Sequence, residues 1–452
     1  MIGDSGLLGA VYSDPEIARV FSDERFVAEM LRVEVALARA QERLGVIPEG
    51  AAARIAGAAE TLDVDMAPIR ESMEQSGIPT IGTIDQLRDA VGGDAASYVH
   101  WGATTQDIMD TALVLQMREA LAQMDGELRQ IIANLADLAD KHRSTVMAGR
   151  TKSQQALPIT FGLKAAGWLV PLVRHRDRLE EIKPRLLVVQ FGGAVGTLAS
   201  LGDRGLATME ALAGELDLGV PAAPWHTQRD SIAELAGWLS MVSGSLAKIA
   251  GDIILLAQSE IGEVRESDDP SRGGSSTMPQ KSNPVVSEAI IAAARTNASL
   301  LSAVHQALIQ EHERGAGSWQ IEWLTLPRMF ELTASALNNA LFLSENLVVN
   351  WDRMRANLDA SNGLMLAEAL NLALAPHLGR AEAKRLIQTA VQTSLTENRH
   401  LVDIVREQVN VELEWDSLRD ESNYLGASSE LIDRVLRDAA VDPAPATNPD
   451  KT

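Results

Sequence analysis

The chain has 452 residues, no cysteine and a formal net charge of -22 at pH 7. This acidity disfavours a surface for nucleic acid or for an anionic membrane, because both partners are polyanions. A sequence without cysteine has no disulfides or thiolate nucleophiles and is typical of a reducing compartment. No uninterrupted apolar run reaches the ~18 residues that span a bilayer, and the first residues lack the pattern of a secretory signal. We therefore expect a cytoplasmic protein.

The composition predicts an all-α fold. Aromatic residues make up only 4% of the chain, whereas alanine and leucine dominate, which favours packed helices over sheets. A chain of this length exceeds one hydrophobic core. The pattern of glycine, proline and apolar residues predicts a small helical domain over 1–105, a bundle of long helices over 106–350 and a second small helical domain over 351–440. We expect the polar, proline-rich tail over 441–452 to be disordered.

Three stretches of the central region carry apolar residues at alternating spacings of three and four: 114–138, 232–256 and 290–308. Each spacing predicts a long helix with one apolar seam. The polar residue Asn297 interrupts the third seam, which is typical of a buried hydrogen bond between helices. Helices of roughly 40 Å exceed what a compact monomer needs, so we expect the seams to continue against other subunits. The alternative is a monomeric bundle whose seams are all internal.

The segment from His100 to Asp107 lies just before the first long helix. Thr104 and Thr105 supply hydroxyl and backbone donors at a helix N-terminus, where an anion is favoured. The alternative is a plain capping segment with Thr105 or Asp107 as the N-cap. His100 is then a structural, hydrogen-bonded histidine rather than a catalyst.

The stretch from Gly149 to Pro158 precedes the second long helix and again clusters polar donors. Thr151, Lys152 and Gln154 are its candidate ligands for an anion. The alternative is a polar turn between helices, with Pro158 in the first helical turn. A glycine-rich stretch over 190–197 lacks the spacing of a dinucleotide fingerprint, and we expect a tight turn there.

The loop over 273–284 combines glycines, hydroxyls, a cation and an amide. Ser275 or Ser276 can exchange a proton, Lys281 offers a compact positive charge, and Asn283 can donate to a carboxylate. Glycines at its start allow close approach to a ligand. The alternative is a solvated loop before a helix that begins near Pro284.

A later segment, His312 to Arg314, is followed by Trp319 and Trp323. Arg314 is the better anion ligand of this group, and the rings can hold a planar conjugated acid. The alternatives are an arginine–glutamate surface pair and tryptophans that fill the core. The sequence contains no P-loop, no His-Glu-x-x-His metal motif and no nucleophile elbow.

The string over 274–288 matches the pattern G-S-S-x-M-P-x-K-x-N-P-x-x-x-E, and through it the chain resembles the aspartase/fumarase superfamily. The His100 and Thr151 segments have the order and spacing of that superfamily's two other active-site regions. The resemblance implies a homotetramer with a core of roughly twenty helices, active sites built from different subunits, and no cofactor or metal. It also implies that Ser275, the first serine of the loop, is the catalytic acid or base.

Within the superfamily the chain most resembles the bacterial cycloisomerases that close a lactone ring on a carboxylated cis,cis-muconate, a step of aromatic-compound degradation. Adenylosuccinate lyases have a catalytic histidine where this chain has Lys152, and an aspartate where it has Gly315. A lactone-forming enzyme does not need that histidine, because the group that leaves in the reverse, ring-opening direction is a carboxylate. The proton donor stays open among Ser275, Lys152 and His100, and Lys281 completes the catalytic set. The implied substrate-binding residues are Thr104, Thr105, Thr151, Gln154, Ser276, Met278, Asn283 and Arg314.

Two other functions compete with this one. An adenylosuccinate- or argininosuccinate-type lyase would release fumarate and needs a second acid at position 152. A non-catalytic structural relative, of the kind that lens crystallins represent, would not need the intact loop with Ser275 and Lys281. On all of these hypotheses except the last, the partners are a small polycarboxylate and other copies of the chain, with no nucleic acid and no membrane.

Overall fold

The computed structural model describes residues 6–7, 9–269 and 271–441. Nearly all of these residues belong to helices or their connections, and the predicted all-α fold is confirmed. The predicted disordered tail lies outside the described residues except for Val441. The division into three domains stays a prediction, although the helices do change length near the predicted boundaries.

Six helices precede the long bundle. A helical stretch of 3-10 type over 94–98 follows the last of them and leads into the first long helix. The longest, α3, is capped by Ser22, whose hydroxyl accepts the backbone N–H of Arg25. Such caps are typical of helix N-termini. The six are α1 (Gly9–Tyr12), α2 (Pro15–Val20), α3 (Asp23–Arg43), α4 (Ala51–Thr61), α5 (Met66–Ser76) and α6 (Thr80–Val91).

The bundle contains the predicted long helices, and each of the three is confirmed. Asn297 lies fully buried in the third, where its amide donates to Thr333 Oγ1 at 2.8 Å and to Ser243 Oγ at 3.3 Å. This is the interhelical hydrogen bond that the interrupted seam predicts. The bundle comprises α7 (Thr105–Lys141), α8 (Phe161–Leu186), α9 (Gly205–Leu216), α10 (Asp230–Leu256), α11 (Val285–Ala307) and α12 (Ser318–Asn346).

The C-terminal helices are shorter and have a core of their own, in which Leu370, Ile387 and Val405 are buried. Pro376 lies within the last turn of its helix, and the chain stays helical to Leu378. The final helix, α18, returns to pack on α7 and α8. The elements are α13 (Trp351–Asp359), α14 (Ala367–Leu378), α15 (Arg380–Glu397), α16 (Leu401–Gln408), α17 (Trp415–Arg419) and α18 (Ser428–Ala440).

In the part of the chain that the structure describes, four short strands form two antiparallel pairs. Strands β1 (Val146–Thr151) and β2 (Gln154–Thr160) make a hairpin between α7 and α8. Strands β3 (Val264–Arg265) and β4 (Val348–Val349) join the chain after α10 to the chain after α12. Both pairs lie where the bundle meets the C-terminal helices, since β1 packs on α13.

Helix α10 is long and apolar enough to cross a membrane by length and composition. Its seam instead packs inside the bundle, where Trp238, Leu239 and Val242 are fully buried. A core helix of a bundle passes the same hydropathy test as a membrane span, because both avoid charge.

Helix α7 gives the bundle two distinct ends. Its 37 residues extend over roughly 55 Å. The Thr104 end holds the start of α7, the 190–197 stretch, and the starts of α10 and α12. The hairpin end holds the β1–β2 hairpin, β3 and the 266–284 segment. These two names are used below.

Candidate functional site

At the Thr104 end, Thr104 is the N-cap of α7, with extended backbone. Its N–H donates to Asp107 Oδ2 at 3.0 Å, so the carboxylate three residues into the helix fixes the cap. The alternative of a capping segment is therefore correct, but the N-cap is Thr104 and neither Thr105 nor Asp107. The hydroxyls of Thr104 and Thr105 lie on half-buried residues at the positive end of the helix dipole.

Asp107 also holds the glycine-rich turn against α7. Its carboxylate accepts the backbone N–H groups of Gly192 and Gly193, each at 2.9 Å, and bonds to His226 Nε2 at 2.7 Å. The turn depends on a left-handed φ of 69° at Gly193, which favours glycine. The predicted tight turn is confirmed, but no pattern in the sequence indicates that Asp107 and His226 organise it.

Beneath this turn lies a fully buried ionic network centred on Arg229. Its guanidinium donates to both oxygens of Asp110, at 2.7 and 3.1 Å, and to both oxygens of Glu322. Trp319 Nε1 also donates to Asp110, at 3.0 Å. Burial raises the pKa of Glu322, against the opposing attraction of Arg229, and the two carboxylates hold the pKa of Arg229 above its ordinary value. Trp319 is thus a core residue, as one alternative had it.

His100 lies in the turn before α7 and contacts helix α3. Its Nδ1 is 2.6 Å from Glu34 Oε1, and the two side chains are 15% and 1% exposed. The backbone of His100 has a left-handed φ of 64°, which is uncommon for a residue with a side chain. A histidine held by a buried carboxylate on strained backbone fits either a structural or a catalytic role.

Arg314 reaches the same turn from the chain before α12. Its Nη2 donates to the carbonyl of Ala194 at 3.0 Å, and more weakly to Gly193 at 3.4 Å. The side chain is half-buried, and the guanidinium has further donors for an anion beside the turn.

The Thr151 segment is a β-hairpin, and the alternative that places Pro158 in the first helical turn is wrong. Lys152 and Ser153 form the two-residue turn with φ of 51° and 62°, as a type I′ turn requires. Pro158 pairs with Ala148 inside the sheet, and α8 begins only at Phe161. The side chains of Thr151, Lys152 and Gln154 are consequently exposed around the hairpin tip.

A buried carboxylate ties the hairpin to the rest of its end. Glu263 is 0% exposed and forms a bidentate pair with Arg150 of β1, at 2.7 and 2.8 Å. Asn357 of α13 donates to Glu263 at 2.8 Å. Sequence patterns do not reveal this group, because its partners lie about a hundred positions away on both sides.

The loop with Ser275 is anchored at its base and exposed beyond it. Asn283 N–H donates to Gly273 O at 2.8 Å, and a side chain on Gly273 would collide with Asn283. Glu266 accepts from the backbone of Val286 and Ser287 and so holds the first turn of α11. That helix begins at Val285, close to the predicted start near Pro284.

Inside the loop, Ser275 Oγ accepts the N–H groups of Met278 and Thr277, at 3.1 and 3.3 Å. Ser276, Met278 and Lys281 are exposed. No described group acts as a base for Ser275, so within one chain this serine is hydrogen-bonded but not activated.

One chain brings only some of the predicted residues together. His100, Thr104, Thr105 and Arg314 share the Thr104 end, whereas the hairpin tip and the Ser275 loop share the hairpin end. The two groups are separated by the length of α7, roughly 55 Å. They can therefore form one pocket only if the ends of different chains meet. Among the described residues, no three acidic or histidine side chains form a metal-binding cluster.

The chain is similar to known proteins over nearly its whole length. The sequence profile of a family described as lyase matches residues 12–296, and that of the adenylosuccinate lyase C-terminus matches 363–435. The chain is 42% identical over 445 residues to the 3-carboxy-cis,cis-muconate cycloisomerase of Acinetobacter baylyi, covering 96% of this chain and 99% of the relative. It is 45% identical to the enzyme of the same name from Pseudomonas aeruginosa, with 95% of each covered.

A solved structure is equally similar. The crystal structure of the 3-carboxy-cis,cis-muconate lactonizing enzyme from Pseudomonas putida superposes with a TM-score of 0.91 at 42% identity. The match covers 96% of this chain and 99% of that one.

Proposed function

The chain belongs to the lyase family, and on that premise we propose that it is a 3-carboxy-cis,cis-muconate cycloisomerase. The observation that carries this proposal is the full-length similarity, at 42% and 45% identity, to two relatives of that name. The hairpin tip supports it, because Lys152 is exposed where a histidine would be expected of an adenylosuccinate lyase.

In the proposed reaction, one carboxylate oxygen of the substrate forms a C–O bond to an alkene carbon of the same molecule. The π electrons move toward the neighbouring carboxylate as an aci-acid, and a proton then adds to carbon. Nothing leaves, and the added proton replaces the one that the attacking acid had lost as a carboxylate, so the product is an isomeric lactone. Because both reactants are in one molecule, the site's main tasks are to select the folded conformer and to stabilise charge.

The donors at the two ends fit those tasks. Lys281 and Asn283 of the loop, with Thr151 of the hairpin, would stabilise the aci-acid from the hairpin end. Thr104 and Thr105 would bind a second carboxylate at the start of α7, where the helix dipole is positive. The proton would come from Ser275, Lys152 or His100.

We further propose a homotetramer in which three chains contribute to each site. The exposed face of α10 carries Gly237, Gly244 and Gly251 at a spacing of seven, and an added Cβ on any of them would meet nothing within 4 Å. Glycine inside a helix costs about 1 kcal/mol relative to alanine. Three of them in register, next to the exposed side chains of Met241 and Leu255, fit close packing against helices of other copies.

We propose that this enzyme is a soluble cytoplasmic protein of aromatic-compound degradation. Its partners would then be a small polycarboxylate and its own copies. The acidic chain and the interior position of α10 support this.

The assay offers 3-carboxy-cis,cis-muconate, adenylosuccinate and argininosuccinate separately to purified protein and follows ultraviolet absorbance. We expect loss of the diene absorbance with stoichiometric lactone and no fumarate. The Lys281→Ala variant separates catalysed from spontaneous lactonisation. Fumarate release from adenylosuccinate without lactone formation would instead support the second candidate, a lyase, which the adenylosuccinate lyase profile over 363–435 favours.

A further inference from the structure

Two side chains of helix α3 form hydrogen bonds to the turn before α7. Glu34 Oε1 lies 2.6 Å from His100 Nδ1, and Gln41 Nε2 donates to the carbonyl of Trp101 at 2.6 Å. Glu34 and Gln41 are seven residues apart, so they share one face of the helix. Both are buried polar side chains within the apolar core of the N-terminal helices.

The carboxylate in this contact is costly to bury. Glu34 is 2% exposed, and its second oxygen has no hydrogen-bond partner among the described residues. A buried carboxylate is tolerated when a donor compensates its charge. Because a carboxylate only accepts, Nδ1 of His100 is the donor, which fixes the orientation of the ring.

The other ring nitrogen of His100, Nε2, is then available to contact a substrate. None of the described residues is seen to hydrogen-bond His100 Nε2, and the side chain keeps 15% of its surface accessible. The left-handed φ of 64° at His100 costs free energy that the two contacts from α3 offset. Strained backbone held by buried polar partners is a feature of functional sites.

We propose that Glu34 is a positioning residue that acts through His100: it holds Nδ1–H so that, in the imidazolium form, Nε2–H gives its proton to the reacting carbon of the bound polycarboxylate, and solvent then returns a proton to Nε2. This deepens the proposed function and rests on it for the identity of the substrate. It selects His100 from the three candidate proton donors. The pairing itself is independent of the substrate.

The test compares two buried glutamates of α3. Glu34→Gln removes the charge opposite His100, whereas the control Glu29→Gln removes an equally buried charge that pairs with Arg25 and Arg32. Proton NMR of the resting enzyme reports the Nδ1 hydrogen of a short charge-assisted bond as a low-field resonance, assigned by its absence in His100→Gln. Steady-state kinetics with 3-carboxy-cis,cis-muconate give kcat and KM separately.

We expect the low-field resonance in the wild type and in Glu29→Gln, and its loss in Glu34→Gln. We also expect kcat of Glu34→Gln to fall about 10- to 100-fold with KM changed by less than about threefold, as for loss of an orienting partner. Glu34→Asp keeps the charge but retracts it by one methylene, so its kcat should be intermediate.

Three results would overturn the proposal: no low-field resonance in the wild type, an unchanged kcat in Glu34→Gln, or an equal loss in Glu29→Gln. If Glu34→Gln does not fold, the Glu34→Asp variant decides, and an unchanged kcat there counts against the proposal. The NMR comparison needs no substrate, so it judges the pairing even if the lactonisation assay shows the proposed function to be wrong.

Discussion

The two ends of the bundle hold their polar side chains in different ways. At the Thr104 end, the glycine-rich turn that Arg314 contacts lies over a buried network in which Arg229, Asp110 and Glu322 are at most 1% exposed. At the hairpin end, the donors Lys152 and Lys281 sit on exposed loops that are anchored only at their bases. The first end is fixed before any ligand arrives, whereas the second can adjust.

This difference suits a site assembled between chains. A rigid end supplies an anion-binding surface with fixed backbone, which reduces the entropy lost on binding. Exposed loops from other chains can then approach it and supply charge where it develops. The following predictions test whether the rigid end carries stability and the exposed end carries turnover.

The largest effect should come from breaking the buried network. Arg229→Met leaves Asp110 and Glu322 buried without their cation, so we expect a loss of about 3–5 kcal/mol in the free energy of unfolding. Chemical denaturation at fixed protein concentration measures it. The control Arg185→Met removes an exposed pair with Glu234, which should cost at most about 1 kcal/mol. Equal losses in the two variants would show that the Thr104 end is not specially rigid.

At the other end, Lys281→Ala should act on turnover and not on stability. The side chain is exposed, so the unfolding free energy should not change. If Lys281 stabilises the aci-acid, kcat should fall about 100-fold, equivalent to about 2.7 kcal/mol. Lys384→Ala, an exposed lysine on α15, is the matched control. An unchanged kcat in Lys281→Ala would remove this residue from the mechanism.

Mixing variants tests whether the two ends meet between chains. Lys281→Ala and Thr104→Val, each nearly inactive, are unfolded and refolded together in equal amounts. If each site takes these residues from different chains, about a quarter of the sites regain both, and activity returns accordingly. Refolding either variant alone is the control. No recovery in the mixture would show that the ends do not combine across chains.

The sequence predicts the long helices well because their periodicity repeats over many turns and averages out local exceptions. It also locates the loop with Ser275 and the start of α11. It misses the hairpin, because Lys152-Ser153 is not the Asn-Gly or Asp-Gly pair that marks a type I′ turn. Only the pairing of the flanking strands forces positive φ on these two residues.

The buried carboxylates of Asp107 and Glu263 are not predicted from the sequence for another reason. Asp107 and His226 are 119 positions apart, and Arg150 and Glu263 are 113 apart. No local spacing encodes such pairs, since they exist only after the helices have packed. The sequence shows only that an acidic residue within an apolar helical face needs a partner, and it does not show which residue that partner is.

Away from both ends, we expect Glu127 of α7 to have a smaller, pH-dependent effect on stability. Burial raises its pKa to about 7 from a reference value of 4.5, with a lesser contribution from Asp14, and against a hydrogen bond from Gln123. Between these values the folded state binds more protons than the unfolded state, so stability falls as pH rises from 4.5 to 7. Glu127→Gln is neutral throughout and should match the wild type near pH 4.5. At alkaline pH it should be more stable by about 1 kcal/mol, after allowance for partial solvent exposure. Thermal unfolding across this range measures the difference, and Glu60→Gln, at an exposed position, is the control. Parallel pH profiles of stability for wild type and Glu127→Gln would show that Glu127 does not titrate in this range.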